Sequence, residues 1–235
     1  MRQNKFFMKK KSTADKQFGN IEQGLNQGVN KTEEFIQNNQ STLLASLTII
    51  ILIIIGSFLW NSSKTSKNRE AQTNLFEAEQ YFEKNQFQLA LEGNEEFQGF
   101  LQIIDEYSNT ETAQLATYYA GICYLRTGDF QNAIQMLDAY ESNDPILLQL
   151  ATMNIASAFS EIQQPKEAIE YYKKAIKINS NELITPKILM KCGTLYELEG
   201  DFEQAAECYK TIHSEYPESA EAENIEKYIQ RVSFK

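Results

Sequence analysis

From Leu43 to Trp60 the chain reads LLASLTIIILIIIGSFLW without a charged side chain, and beyond Glu70 apolar residues recur at spacings of three and four among acidic and polar ones. The first pattern predicts one helix that is apolar on every side, and the second a run of amphipathic helices. At about 1.5 Å of rise per residue the apolar stretch makes a helix roughly 27 Å long, close to the hydrocarbon thickness of a bilayer. A transmembrane helix is expected over 42–60, after a tail over 1–41 and before a linker over 61–70 and one repeat domain over 71–235. A cleaved signal peptide fits poorly, because about forty residues precede the apolar core and no small-x-small exit follows it. A buried core helix fits poorly too, since Ile49 to Ile55 offers no polar face.

A four-residue signature recurs in the second region: a small residue, an aromatic three on, a glycine-like turn four further, and an alanine five after that. Gly121, Tyr124, Gly128 and Ala133 form one copy ending at Pro145, and Gly193, Tyr196, Gly200 and Ala205 another ending at Pro217. Between them lie Ala156, Phe159, Gln163 and Ala168, and before them Ala78, Tyr81, Asn85 and Ala90, where asparagine can take the left-handed conformation. The spacing predicts helical hairpins. Small residues admit close helix approach, aromatics fill the space beside them, Asp129 and Asp201 suit helix starts, and the prolines are expected to stop the second helices. Glu92 to Gln98 interrupts the first copy and predicts a loop or helix break before Phe100. Ile225, Tyr228, Ile229 and Val232 share one helical face and predict a capping helix.

Charge refines this picture. Arg2, Lys5, Lys9, Lys10, Lys11, Lys16 and Lys31 outnumber Asp15, Glu22, Glu33 and Glu34 in the tail, which favours a cytoplasmic N-terminus and repeats on the far side. Lys64, Lys67 and Arg69 just after the apolar stretch pull the other way, but a long folded domain translocates largely regardless of charge. Residues 1–69 hold ten of the 22 basic and four of the 32 acidic residues, which leaves the repeat region strongly acidic. Such a region disfavours nucleic acid and anionic lipid as partners.

Candidate chemistry is sparse. Cys123, Cys192 and Cys208 have no CxxC or zinc-type spacing and read as small buried hydrophobes, with a Cys192–Cys208 bridge the alternative in an oxidising compartment. The single histidine, His213, reads as an ordinary surface residue near a helix C-terminus. No catalytic, cofactor-binding or metal-ligating motif is present. In the tail, Leu25, Val29 and Ile36 allow a short amphipathic helix, with disorder the alternative.

The signature resembles the tetratricopeptide repeat over residues 71 to 217, although Thr117, Thr152 and Leu189 stand where that family has tryptophan. The resemblance implies an all-α superhelix of three to four helix pairs with a C-terminal cap. It also implies a concave groove lined by Phe82, Tyr118, Ile122, Leu125, Arg126, Met153, Ser157, Met190, Thr194 and Leu198, several of which could instead fill the superhelix interior. The positions of a basic carboxylate clamp hold Leu75, Glu79, Glu83, Tyr118, Ile122, Met153 and Ser157, which leaves Arg126 alone and favours an apolar or basic ligand segment. The whole arrangement resembles the YfgM-type ancillary subunits of the bacterial Sec translocon, and the run from Tyr81 through Gly99, Phe100 and Leu101 to Tyr118, Tyr119, Ala120 and Gly121 is similar to tetratricopeptide membrane proteins of the Bacteroidetes. That likeness implies a single-pass protein of the bacterial inner membrane with a cytoplasmic N-terminus. It further implies periplasmic repeats that associate with SecYEG and a PpiD-like chaperone, as a non-enzymatic scaffold. An envelope-assembly or cell-division coordinator linking the inner membrane to peptidoglycan or outer-membrane machinery is the alternative.

Overall fold

The computed structural model describes residues 38–235, so the amphipathic reading of the tail lies outside the described residues. Those residues form ten α-helices and one 3-10 turn, with no strand beyond an isolated bridge between Gly93 and Gln98. In chain order the helices are α1 (Gln40–Glu83), α2 (Phe87–Glu92), α3 (Phe100–Glu106), α4 (Glu111–Thr127), α5 (Phe130–Asp138), α6 (Pro145–Glu161), α7 (Pro165–Ile178), α8 (Thr185–Leu198), α9 (Phe202–Glu215) and α10 (Ile225–Ser233). The chain divides into two units, Met1–Ser62 and Ser63–Lys235. In the first, Gln40–Phe58 has a mean hydropathy of 2.4 and none of it is buried, which makes it long and apolar enough to cross a membrane. Residues 61–70, expected as a linker, are helical, and within the second unit the Asn68 carboxamide oxygen accepts from the backbone N–H and hydroxyl of Thr112 at 3.1 and 2.8 Å.

The second unit is a tetratricopeptide-type superhelix of four helix pairs and a cap. Successive helices pack chiefly on their neighbours in sequence, so the core runs along the domain as linked clusters rather than around one centre. One turn is built four times. Asn85, Gly128, Gln163 and Gly200 all take positive φ, between 59° and 85°. The aromatic carbonyl four residues earlier then accepts from the N–H five residues on: Tyr81 from Gln86, Tyr124 from Asp129, Phe159 from Gln164 and Tyr196 from Asp201, each at 2.9 Å. This closes the helix by satisfying a carbonyl that the helix itself leaves open. Asp129 and Asp201 then cap the next helices by accepting from the N–H groups of Asn132 and Gln204 at 3.3 and 3.2 Å.

Pro145 corrects one expectation. It opens α6 behind the cap Asp144, whereas α5 has already ended at Asp138. A proline lacks the N–H that a first helical turn does not need, so it fits that position. Pro217 follows the end of α9 as expected.

The second helix of the first pair is broken into α2 and α3. Gly93 and Gly99 pinch the intervening loop so tightly that a Cβ on Gly99 would lie 2.3 Å from the Gly93 nitrogen. The loop is held by the Asn94 carboxamide, which accepts from the N–H groups of Glu96 and Phe97 at 2.8 and 3.1 Å, and by Phe97, stacked on Tyr81 at 4.3 Å between centroids.

A buried polar network ties α6 to the loop before α8. Gln149 is fully buried and donates to the Asn179 carbonyl at 2.6 Å and to the Thr185 hydroxyl at 3.3 Å, while its own oxygen accepts from the Asn181 carboxamide at 2.6 Å. At the far end, α10 buries Ile225 and Val232 against α9, and Arg231 pairs with Glu197 of α8 at 2.7 Å. The expected capping helix is present.

Candidate protein-binding cleft

The first three helix pairs leave a cleft of about 500 Å³, lined by residues from α1, α2, α4 and α6 and from the turn between α1 and α2. Phe82 comes from the last turn of α1 and Phe87 from the first of α2, brought together by the left-handed turn at Asn85. Tyr118, Tyr119, Ile122, Leu125 and Arg126 come from α4, where spacings of three, four and seven place them on one face. Asn154 closes the site from α6.

The floor is a chain of aromatic contacts. Phe82 meets Phe87 edge-on at 5.5 Å and Tyr119 at 5.0 Å, Tyr119 stacks on Phe100 at 5.3 Å, and Tyr118 touches Tyr119 at 6.0 Å and Tyr140 at 5.4 Å. Rings held in this way lose little freedom on binding and present both an apolar body and a polar edge.

Charge at the rim is set by three groups. Arg126 lies over the Phe87 ring at 5.3 Å, a cation–π contact that engages its guanidinium within the protein. Glu83 lines the cleft, and Glu79 one turn before it faces the Tyr119 hydroxyl. Burial raises the Glu79 carboxyl above its ordinary value, Tyr119 partly offsets this, and the neighbouring Glu83 charge adds to it. The Tyr119 phenol is pushed up to about 12, first by burial and then by the Glu79 charge.

Of the ten groove positions read from sequence, Phe82, Tyr118, Ile122, Leu125 and Arg126 surround this one cleft. The other five do not line it. Met153 packs against the α6–α8 cluster, and the Ser157 hydroxyl meets that of Tyr172 at 3.1 Å inside the same layer. Met190 packs towards the C-terminal cluster, the exposed Thr194 donates to the Met190 carbonyl at 2.9 Å, and Leu198 is 77% exposed. Asn85, Phe87, Tyr119 and Asn154 also line the cleft and were not among the positions read from sequence, whereas Glu83 was read there as a clamp position. Phe87 was legible, since it stands two residues after its turn residue as Phe130 and Phe202 do after theirs.

His213 is exposed beside a shallow depression lined by Pro217, Glu223 and Lys227. Among the described residues no three His, Cys, Asp or Glu side chains are grouped to hold a metal.

Comparison with known proteins agrees with this architecture. Two curated relatives named Tetratricopeptide repeat protein 29, from Homo sapiens and Macaca fascicularis, are 27% identical over 119 and 117 residues. Each alignment takes in 46% of this chain and 25% of the relative, so the chain spans about a quarter of the length of the curated proteins it matches. The crystal structure of MamA is similar with a TM-score of 0.50 at 19% identity, over 67% of this chain and 92% of that one. The nearly identical TPR-like repeats of a Podosopora anserina kinesin light chain give 0.54 at 16% identity, over 72% and 86%. At these identities the solved structures speak to the fold alone. With four copies of one helix-closing turn and a match over residues 33–233, the chain belongs to the tetratricopeptide repeat-like domain family, whose fold suits protein–protein interaction.

Proposed function

We propose that this protein is a membrane-anchored, non-enzymatic scaffold whose repeats hold a partner protein beside the bilayer. The observation that carries the reading is that Gln40–Phe58 is long and apolar enough to cross a membrane, with a mean hydropathy of 2.4, and that none of its residues is buried in the protein, as a helix solvated by lipid requires. In this reading the helix crosses a bacterial inner membrane once, the tail is cytoplasmic and the repeats are periplasmic. The partner is a component of the SecYEG translocon or a PpiD-like chaperone, held where chains emerge. The exposed position of His213 and the burial of Cys123 and Cys192 support a binding role over catalysis.

The test is extraction of the tagged full chain from membranes in mild detergent, followed by mass spectrometry of what accompanies it. Recovery of SecYEG or a PpiD-like chaperone is the expected result. Recovery of cell-division, peptidoglycan or outer-membrane factors in their place would replace the translocon assignment, and release of the protein by alkaline carbonate would remove the anchor.

A further inference from the structure

The cleft combines apolar walls with an acidic surround. Between residues 71 and 145 the only basic side chains are Lys84 and Arg126, against thirteen Asp and Glu. Both cations are occupied by rings, Lys84 over Tyr81 at 5.4 Å and Arg126 over Phe87 at 5.3 Å. Neither forms an ion pair with a carboxylate within 4 Å, and the acidic side chains far outnumber the two. Among the described residues the one ion pair within 4 Å is that of Arg231 with Glu197, at the opposite end of the domain.

Glu79 and Glu83 sit one helical turn apart, the spacing at which like charges oppose each other on a helix. Glu83 lines the cleft directly, and Glu79 reaches its edge through Tyr119. Burial and the Glu83 charge both disfavour the ionised Glu79, so a cation arriving here would relieve an existing repulsion. The neighbouring surface, Phe82, Tyr118 and Ile122, is apolar and preformed, which suits side chains flanking that cation.

We infer that the cleft takes a cationic amphipathic segment of a partner protein, with lysine or arginine against Glu79 and Glu83 and its apolar side chains on Phe82, Tyr118 and Ile122. This rests on the reading of the repeats as a binding scaffold and adds the chemistry of what is bound. An acidic segment would face repulsion from Glu83 and from the acidic excess of this region, with Arg126, over the Phe87 ring, the one cation lining the cleft among the described residues.

The probe is a fluorescein-labelled amphipathic peptide of leucine and lysine, titrated by anisotropy against the full chain in detergent. Two controls carry glutamate in place of lysine and serine in place of leucine. The leucine/lysine peptide should bind more tightly than either control, and more weakly as salt is raised. The isosteric double variant Glu79→Gln/Glu83→Gln should lose about fivefold to tenfold in affinity. The exposed pair Glu95→Gln/Glu96→Gln should lose less than about twofold. Equal losses in the two variants would mean that the peptide reads overall acidity, and tighter binding of the glutamate peptide would reverse the charge assignment. Either result overturns the inference while leaving a partner recovered from membranes, and with it the scaffold, intact. Failure of the leucine/lysine peptide to bind the folded chain would overturn it as well.

Discussion

A Cβ placed on Gly193 would stand 2.6 Å from Cε1 of Tyr209, so the bare backbone at Gly193 is what lets α8 lie against α9. Tyr209 cannot yield easily, because it is fully buried and its hydroxyl donates to Glu197 at 3.2 Å. Gly193→Leu should therefore cost about 1–3 kcal/mol or more through overpacking. Gly121 is packed as tightly, since its Cβ would lie 2.5 Å from Cγ of the buried Leu137, so Gly121→Ala and Gly193→Ala should each destabilise, and by less than Gly193→Leu. Thermal unfolding of the three variants measures the order, and an unchanged midpoint for Gly193→Leu would contradict the repeat alignment.

Gly200 offers the opposite case. Nothing lies within 4 Å of where its Cβ would be, but its φ is +82°, so Gly200→Ala should cost about 1–2 kcal/mol from backbone strain alone. Gln163 already bears that strain at φ 60°. Gln163→Gly should stabilise the domain by up to about 1 kcal/mol, less the greater entropy of glycine in the unfolded chain. Denaturant titration of both variants should show shifts of opposite sign.

Gln149 anchors the loop before α8 from a fully buried position. Gln149→Leu should cost about 1–3 kcal/mol because the partly buried Asn179 carbonyl and Asn181 carboxamide both lose their partner. Asn181→Ala should cost a similar amount, and the double variant should cost clearly less than the two together, since both remove the same contact. Equilibrium unfolding of the double-mutant cycle measures this coupling.

The three thiols should react in a fixed order. Burial pushes Cys123 up to about 12, and the Cys192 thiol, donating towards Cys208, is held protonated while Cys208 is lowered. Cys208 is also partly accessible, so N-ethylmaleimide near neutral pH should modify it first and leave Cys123 unmodified until the domain unfolds. Peptide mapping after timed labelling reads the order.

Alkali should destabilise the repeats. Cys123 is raised from 9.0, and Tyr119 and Tyr196 from 10.0, each to about 12 and each mainly by burial. In the window between those values the unfolded chain has released protons that the folded chain retains. Stability therefore falls with rising pH from about 9 towards 12. Unfolding midpoints followed by circular dichroism should drop across that interval, and a flat profile would contradict the burial of these groups.

How much could be read in advance differs between helix ends and side-chain partners. The left-handed turns at Gly128 and Gly200, the caps Asp129 and Asp201 and the apolar face of α10 each depend on residues within a few positions of one another, so spacing alone revealed them. Pro145 was misread because proline suits both the space after one helix and the first turn of the next, and only the position of Asp144 as a cap separates the two. The cleft was half legible. Phe82, Glu83 and the α4 face follow from repeat position, but Tyr119 and Asn154 enter it through the angle at which separate helices meet.

By itself the sequence determined an apolar helix of membrane length, three to four helix pairs, their turns and their cap, because each is a periodic or nearest-neighbour property of the chain. Only the tertiary structure decided that Gln149 is buried and bonded to residues thirty or more positions away, and that Arg126 lies over Phe87 and not in an ion pair with Glu83, which lines the same cleft. Those outcomes depend on distances between elements far apart in the chain, which packing fixes and periodicity does not encode.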